Sequence, residues 1–496
     1  MDAERSIGQR LITGFDGTEV TEELREAVKR CGIGNFILFR RNIMSGGQLQ
    51  ALCAGLWDLV EAETGLPPLI MTDEEGGSVS RLAGIAGETP CAMAVSETGK
   101  PENAWKIGSI IGQRLRAAGV NMNLAPVLDL FTDKANFSHG NRCFGSDPHM
   151  AGCYAGEYIR GLHEQGILCV GKHFPGVGDT SVDSHLALPV VDKPRESFEQ
   201  LELIPFRKAM REGVDAIMSA HIMLPAYEKE RVPATVSRSI LTDLLRGELG
   251  YGGLLMTDSM EMHGVLDLFP VDEGTLRALN AGADMGMICH DLNMTRHVHG
   301  YLMEALNAGH MDAQDMHEHV ERIVRFKQRL RRPDTDGHAF WTPEQERVVR
   351  EIMGEAVQLF HCPEGQPLPV IGPDTVYAGY DAALISQAGD TSSLCGAQVL
   401  SRMLGGRWAG PEPALEQLMA APVCVMVIWR TEDSLHLADM AEAMLENGKQ
   451  VIVISMHVRE RLRDFPDGAF KMAAWQYDRM SLEVLAEAMK RMFLRA

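Results

Sequence analysis

Up to about residue 330, short apolar runs alternate with longer segments of helical spacing, and this alternation constrains the fold more than any other feature of the chain. The runs are Leu11–Phe15, Phe36–Phe39, Leu69–Thr72, Val120–Leu128, Ile167–Val170, Ala216–Ser219, Gly253–Thr257 and Asp284–Ile288. Each is rich in Val, Ile, Leu and Met and has the length of a strand buried on both faces, as in a parallel sheet. Segments such as Ile107–Leu115 and Ala151–His163 carry the helical spacing between them. Eight strand–helix units of this kind predict a (β/α)8, TIM-like barrel. An open doubly wound sheet is the alternative, because periodicity does not show closure.

The whole chain, at 496 residues, is too long for one core. Residues 1–331 are read as the barrel and the polar, Pro- and Gly-bearing stretch 332–348 as a linker. Residues 349–496 are read as a smaller α/β (αβα) sandwich, with strands at Val370–Ile371, Val423–Trp429, Val451–Ser455 and Phe470–Trp475.

The formal net charge of -21 disfavours nucleic acid and anionic membrane as partners, since both are polyanions. No stretch approaches the roughly 18 apolar residues of a membrane span. The N-terminal residues show no apolar signal core and no cleavage pattern. The ten cysteines show no C-x-x-C pair and read as free, buried or partly buried thiols. The expected compartment is the cytoplasm, so Asn136 and Asn293, which match the glycosylation pattern, read as chance matches. The oligomeric state is not legible.

Ionisable residues gather where the apolar runs end: Asp73, Glu74 and Glu75 after the third, Asp129 after the fourth, Lys172 and His173 after the fifth. His221 follows the sixth, Asp258 the seventh, and His290 and Asp291 the eighth. In a barrel these positions surround one pocket at the C-terminal face. In the segment 171–189 (GKHFPGVGDTSVDSHLALP), Asp183 and His185 lie two apart, so an extended loop points them the same way. The carboxylate could then orient the imidazole and raise its pKa for proton transfer. A surface histidine on a polar loop is the plainer alternative. Asp258 could stabilise or attack a developing cation in the pocket, or simply cap the next helix. The pairs His297/His299 and His317/His319 fall in helical segments and read as solvent-exposed rather than metal-binding. No metal and no cofactor is expected; no Walker or dinucleotide motif is present.

Several blocks resemble those of a known family. They are Asp73 to Gly77 (DEEGG), Asn123 to Asp129 (NLAPVLD), Arg142 to Pro148 (RCFGSDP), Lys172 to Gly176 (KHFPG), Gly178 to His185 (GDTSVDSH), Pro233 to Ser237 (PATVS) and Thr257–Asp258. Together they resemble two-domain family 3 glycoside hydrolases of the β-N-acetylglucosaminidase (β-hexosaminidase) branch. The resemblance implies an exo-acting, retaining enzyme that removes terminal β-linked GlcNAc from muropeptides or related oligosaccharides. It implies Asp258 as nucleophile, His185 as general acid/base with Asp183 as its partner, and Asp73, Arg81, Arg142, Lys172 and His173 as the sugar-binding set. Phosphorolysis by a β-N-acetylglucosaminide phosphorylase, a β-glucosidase of the same family, and a degenerate sugar-binding barrel are the alternatives. Two positions depart from the family pattern, Glu74 for the usual Gln and Val177 for the usual His. Glu74 would either place a charge beside the sugar or point away; Val177 removes a polar group.

Overall fold

The computed structural model describes residues 2–494 except 135, 137, 138, 179, 181–187, 336, 380–393, 411, 412 and 430. In chain order the strands of its N-terminal part are β1 (Leu11–Thr13), β2 (Asn35–Leu38), β3 (Leu69–Thr72), β4 (Glu74–Gly76), β5 (Val79–Ser80), β6 (Met122–Asn123), β7 (Leu168–Phe174), β8 (Ala216–Ser219), β9 (Leu254–Ser259) and β10 (Met285–Ile288). Eight of them close into a parallel barrel in the order β1-β10-β9-β8-β7-β6-β3-β2, while β4 and β5 form a separate hairpin. The sheet is therefore closed, as the eight-unit reading expects, and not doubly wound.

Alternation along the strands sorts the side chains into two apolar layers. Ile12, Ile37, Met71, Met122, Val170, Met218, Met256 and Met287 fill the interior. Neighbours such as Leu38, Cys169, Ile217 and Leu255 point outward against the helices. Unbranched methionines suit an interior of uneven width. Truncating one to Ala costs about 2–5 kcal/mol.

Two runs differ from their sequence reading. Only Met122–Asn123 of the run 120–128 is a strand, since Pro126 has no N–H for the ladder. The chain regains one bridge at Val127–Lys172 before delivering Asp129. β7 continues beyond Val170 to Phe174, so Lys172 and His173 sit within a strand.

The second sheet has six strands, β11 (Gln358–His361), β12 (Val376–Gly379), β13 (Arg407–Trp408), β14 (Val423–Ile428), β15 (Gln450–Ser455) and β16 (Phe470–Ala473). Their order is β11-β16-β15-β14-β12-β13. All pairs are parallel except β11 with β16. The apolar pair at 370–371 is not a strand: it lies between Pro369 and Pro373, with Val370 exposed. Helix Pro343–Ala356, capped by Thr342 with Gln345 bonding back, begins inside the stretch read as a linker.

The two parts meet in a polar seam. Asn141 Nδ2 donates to Trp475 O at 2.9 Å, Cys91 N to Gln476 Oε1 at 2.6 Å, and Met480 N to Glu88 Oε2 at 2.8 Å. Trp475 is fully buried, and its indole donates to Ala356 O at 2.6 Å. Among the described residues no helix is long and apolar enough to cross a membrane.

The exposed-histidine reading holds for His297 and His317, whose side chains are 63% and 62% exposed, and fails for their neighbours. Two residues apart on a helix face different ways. His299 is buried against Glu4 O at 2.9 Å, and His319 is buried against Asp284 Oδ1 at 2.6 Å.

Candidate active site

The pocket opens at the C-terminal end of the barrel, and every barrel strand but β1 contributes a lining residue in it or just after it. β3 releases Asp73 directly. The β4–β5 hairpin then reverses the chain at Gly76 and Gly77, which have φ of 93° and 58°. A side chain would be strained at either, and a Cβ at Gly76 would meet Pro90 O at 2.4 Å. This turn returns the chain as Arg81. β7 supplies Lys172 and His173, β9 supplies Asp258, and the short turn Gly140–Arg142 supplies Arg142.

Asp73, Arg81, Arg142, Lys172, His173 and Asp258 all line one cleft of about 750 Å³, its open mouth included. Ile37, Leu124, Met218 and Met287 form its apolar floor; Phe39 and His290 lie on its wall with rings 6.0 Å apart. The remaining two candidates, Asp183 and His185, lie outside the described residues.

The polar side is a charge-paired lattice. Lys172 Nζ lies 2.7 Å from both Asp73 Oδ1 and Glu75 Oε1. Arg142 grips Glu75 with Nε and Nη2, each at 2.8 Å. Arg81 Nη2 approaches Asp73 Oδ2 at 3.4 Å. Burial pushes both carboxyls up, but Lys172 and Arg81 hold Asp73, and Arg142 and Lys172 hold Glu75, below the usual carboxylate range. Burial would lower Lys172; Asp73 and Glu75 more than offset it, and its pKa is raised. These groups therefore stay charged and fixed, with hydrogen-bonding capacity preorganised for a polar ligand.

His173 is fixed from behind. Its Nδ1 lies 2.7 Å from Asp129 Oδ2, and Asp129 also accepts from Val177 N at 2.9 Å. Burial opposes ionisation of Asp129, yet His173 keeps its carboxyl below the usual range. The other ring nitrogen of His173 faces Asp258 Oδ2 at 3.9 Å. Asp258 accepts from Ser259 N at 2.7 Å.

The departures at 74 and 177 are resolved by these contacts. Glu74 points away from the pocket, accepting from Ser80 Oγ at 2.6 Å and Leu82 N at 3.0 Å, with Arg114 3.9 Å away. Its burial outweighs Arg114 and raises its pKa. Val177 is buried and contributes its backbone N–H to Asp129.

Other strand-end residues have supporting places. His221 is buried, bound to Thr235 Oγ1 and Ser259 O at 2.8 Å each, and so steadies the backbone behind Asp258. Asp291 caps helix Leu292–Asn307. Glu261, unnoticed in the sequence, ties β9 to β10 by accepting from Cys289 N at 2.7 Å and His290 N at 3.0 Å. Glu75 went unassigned too, although it lies two residues from Asp73 in an extended segment and shares its side.

A closed parallel barrel with fixed carboxylates and cations at its C-terminal mouth is the framework of an enzyme acting on a polar substrate. Residues 4–326 match the glycosyl hydrolase family 3 N-terminal domain. The chain belongs to that family and is a glycoside hydrolase. A β-hexosaminidase from Pseudomonas aeruginosa is 34% identical over 283 residues, covering 57% of this chain and 82% of that protein. β-Hexosaminidase A from Pseudoalteromonas piscicida is 31% identical over 336 residues, covering 63% of this chain; the chain spans only 56% of that relative's length. A family 3 β-N-acetylglucosaminidase from Paenibacillus sp. str. FPU-7 superposes with a TM-score of 0.89 at 30% identity, covering 99% of this chain and 97% of that one. The two-part architecture is thus shared over the full length.

Proposed function

We propose that the protein is a retaining, exo-acting β-N-acetylhexosaminidase that releases terminal β-linked GlcNAc from muropeptides or related oligosaccharides. The observation that carries this reading is the convergence of Asp258 with the Asp73–Lys172–Glu75–Arg142 lattice in one pocket. In it, Asp73, Arg81, Arg142, Lys172 and His173 hold the sugar by its hydroxyl and acetamido groups, and Asp258 attacks the anomeric carbon. A proton reaches the leaving oxygen as that bond breaks. Water deprotonated by the same group then releases the sugar with retained configuration.

The source of the proton is constrained. The only carboxylates among the described lining residues are Asp73 and Asp258. Asp73 is held ionised by Lys172 and Arg81 and is a poor acid. By the motif resemblance we assign the role to His185 with Asp183 as its partner; both lie outside the described residues. A second reading makes the Asp129–His173 pair the acid/base, favoured by the 2.7 Å contact within it and the 3.9 Å approach to Asp258.

A leaving-group series separates the two. General acid help is typically worth about 10²–10⁴-fold for a poor leaving group and little for a nitrophenolate. His185→Ala is expected to lose activity on a GlcNAc disaccharide far more than on nitrophenyl β-GlcNAc; His173→Ala is expected to lose both together through weakened sugar binding. The reverse pattern assigns the proton transfer to His173. Wild-type behaviour of His185→Ala on both substrates removes the 183–185 loop from the mechanism.

A further inference from the structure

At the opposite end of the barrel from the pocket, three side chains of different chemistry converge. His163 lies in the last turn of helix Pro148–Glu164, Cys169 near the start of β7, and Asp215 just before β8. His163 Nε2 is 2.8 Å from Asp215 Oδ2, Cys169 Sγ is 3.4 Å from that oxygen, and Cys169 Sγ is 3.5 Å from His163 Nε2. All three donor atoms lie within 4.8 Å of one another. We propose that His163, Cys169 and Asp215 form a zinc-binding site that clamps the N-terminal end of the barrel.

The donor set and its dimensions suit that ion. A tetrahedral zinc with Zn–S of about 2.3 Å and Zn–N and Zn–O of about 2.0 Å spaces its ligands roughly 3.3–3.6 Å apart. The two sulfur distances already match, and the His163–Asp215 contact needs to open by about half an ångström. Asp215 is pinned, since Cys169 N also donates to its Oδ2 at 2.9 Å. Cys169 is fully buried, while His163 and Asp215 keep 33% and 18% side-chain exposure. The ion therefore has a closed side and an open one, leaving its fourth position to water. On binding, the thiol proton leaves to solvent as the Zn–S bond forms. A proton also leaves His163 when its imidazole is charged, and Nε2 then binds with Nδ1 keeping a hydrogen. A second mixed cluster among the described residues, Asp129, His139 and His173, includes His173 of the pocket already described.

Cobalt(II) is the probe, because a cysteine thiolate gives it a near-ultraviolet charge-transfer band that His and Asp ligands cannot. The expected result is one equivalent of Co²⁺ bound with that band, its displacement by Zn²⁺, and a melting temperature at least about 3 °C higher with zinc. Cys169→Ser and His163→Gln should both lose the band and the shift, with kcat unchanged. His163 is partly exposed, so His163→Gln carries the test if Cys169→Ser fails to fold. Failure of wild type to bind one equivalent at micromolar Co²⁺, or a band that survives in His163→Gln, overturns the proposal.

Discussion

Glu88 and Asp478 face each other across the seam between the barrel and the second sheet, and their shared proton makes that seam sensitive to alkali. Glu88 is raised from 4.5 to about 8, first by burial, then by the charge of Asp478 and the hydrogen bond between the two. The proton belongs to the pair. In the unfolded chain Glu88 titrates near 4.5. Between that value and about 8 the native state holds the extra proton. Its stabilisation is therefore complete at low pH and is lost as pH rises through the window. Sealed from water, the displacement would amount to ~5 kcal/mol. Glu88 is only half-buried, and solvent screening reduces this to about 2–3 kcal/mol. Glu88→Gln keeps an acceptor for Met480 N and donates permanently to Asp478. Urea unfolding of both proteins at pH 5.5 and 8.5 isolates the effect, because every other titrating group cancels in the difference. Because pH 5.5 already lies a unit above the unfolded value, the wild type should lose about 1–2 kcal/mol more than the variant on going to pH 8.5. Equal losses in the two proteins would show that the pair is hydrated and carries no shared proton.

Other expectations concern the pocket. Asp258→Asn should fold, with an unchanged circular dichroism spectrum, and lose at least about 10³-fold in kcat on nitrophenyl β-GlcNAc; near-normal turnover would reduce Asp258 to a backbone cap. Arg142→Lys, which cannot reproduce the two-pronged grip on Glu75, should raise KM by about tenfold or more, as steady-state kinetics would read. Glu74→Gln should leave kcat and KM within about twofold and stability within about 1 kcal/mol, because the carboxyl faces Ser80 and Leu82 rather than the sugar; a large KM change in initial-rate assays would return position 74 to the substrate.

The barrel was legible because its strands are apolar on both faces, so composition marks them without any need for periodicity. Leu69–Thr72 and Ala216–Ser219 agree at both ends for that reason. Where apolar residues do other work, the reading drifts. Residues 124–128 are apolar because Leu124 lines the pocket floor and its neighbours are buried, while their pairing to β7 is reduced to the single bridge Val127–Lys172. β11 and β13 escaped notice as short edge strands, with Phe360 and Arg407 open to solvent, where no apolar alternation is required.

The site divides along the same line. Side chains that leave a strand end, such as Asp73, Lys172, His173 and Asp258, can be placed from sequence, because barrel geometry sends every such position to one mouth. Arg142 was placed by motif alone, and the structure supplies its physical reason: its turn is held by Asn141 bonding to Trp475 O, a contact 334 residues away. Glu74 and Glu75 show how much one residue of register decides. In an extended segment alternate side chains share a face. Glu75 therefore joins Asp73 against Lys172, and Glu74 turns to Ser80 on the other side. A second carboxylate joins Asp73 against Lys172 after all, but it is Glu75, bound by two cations. Neutralising it should weaken substrate binding by releasing Arg142 and Lys172, whereas neutralising its neighbour should not.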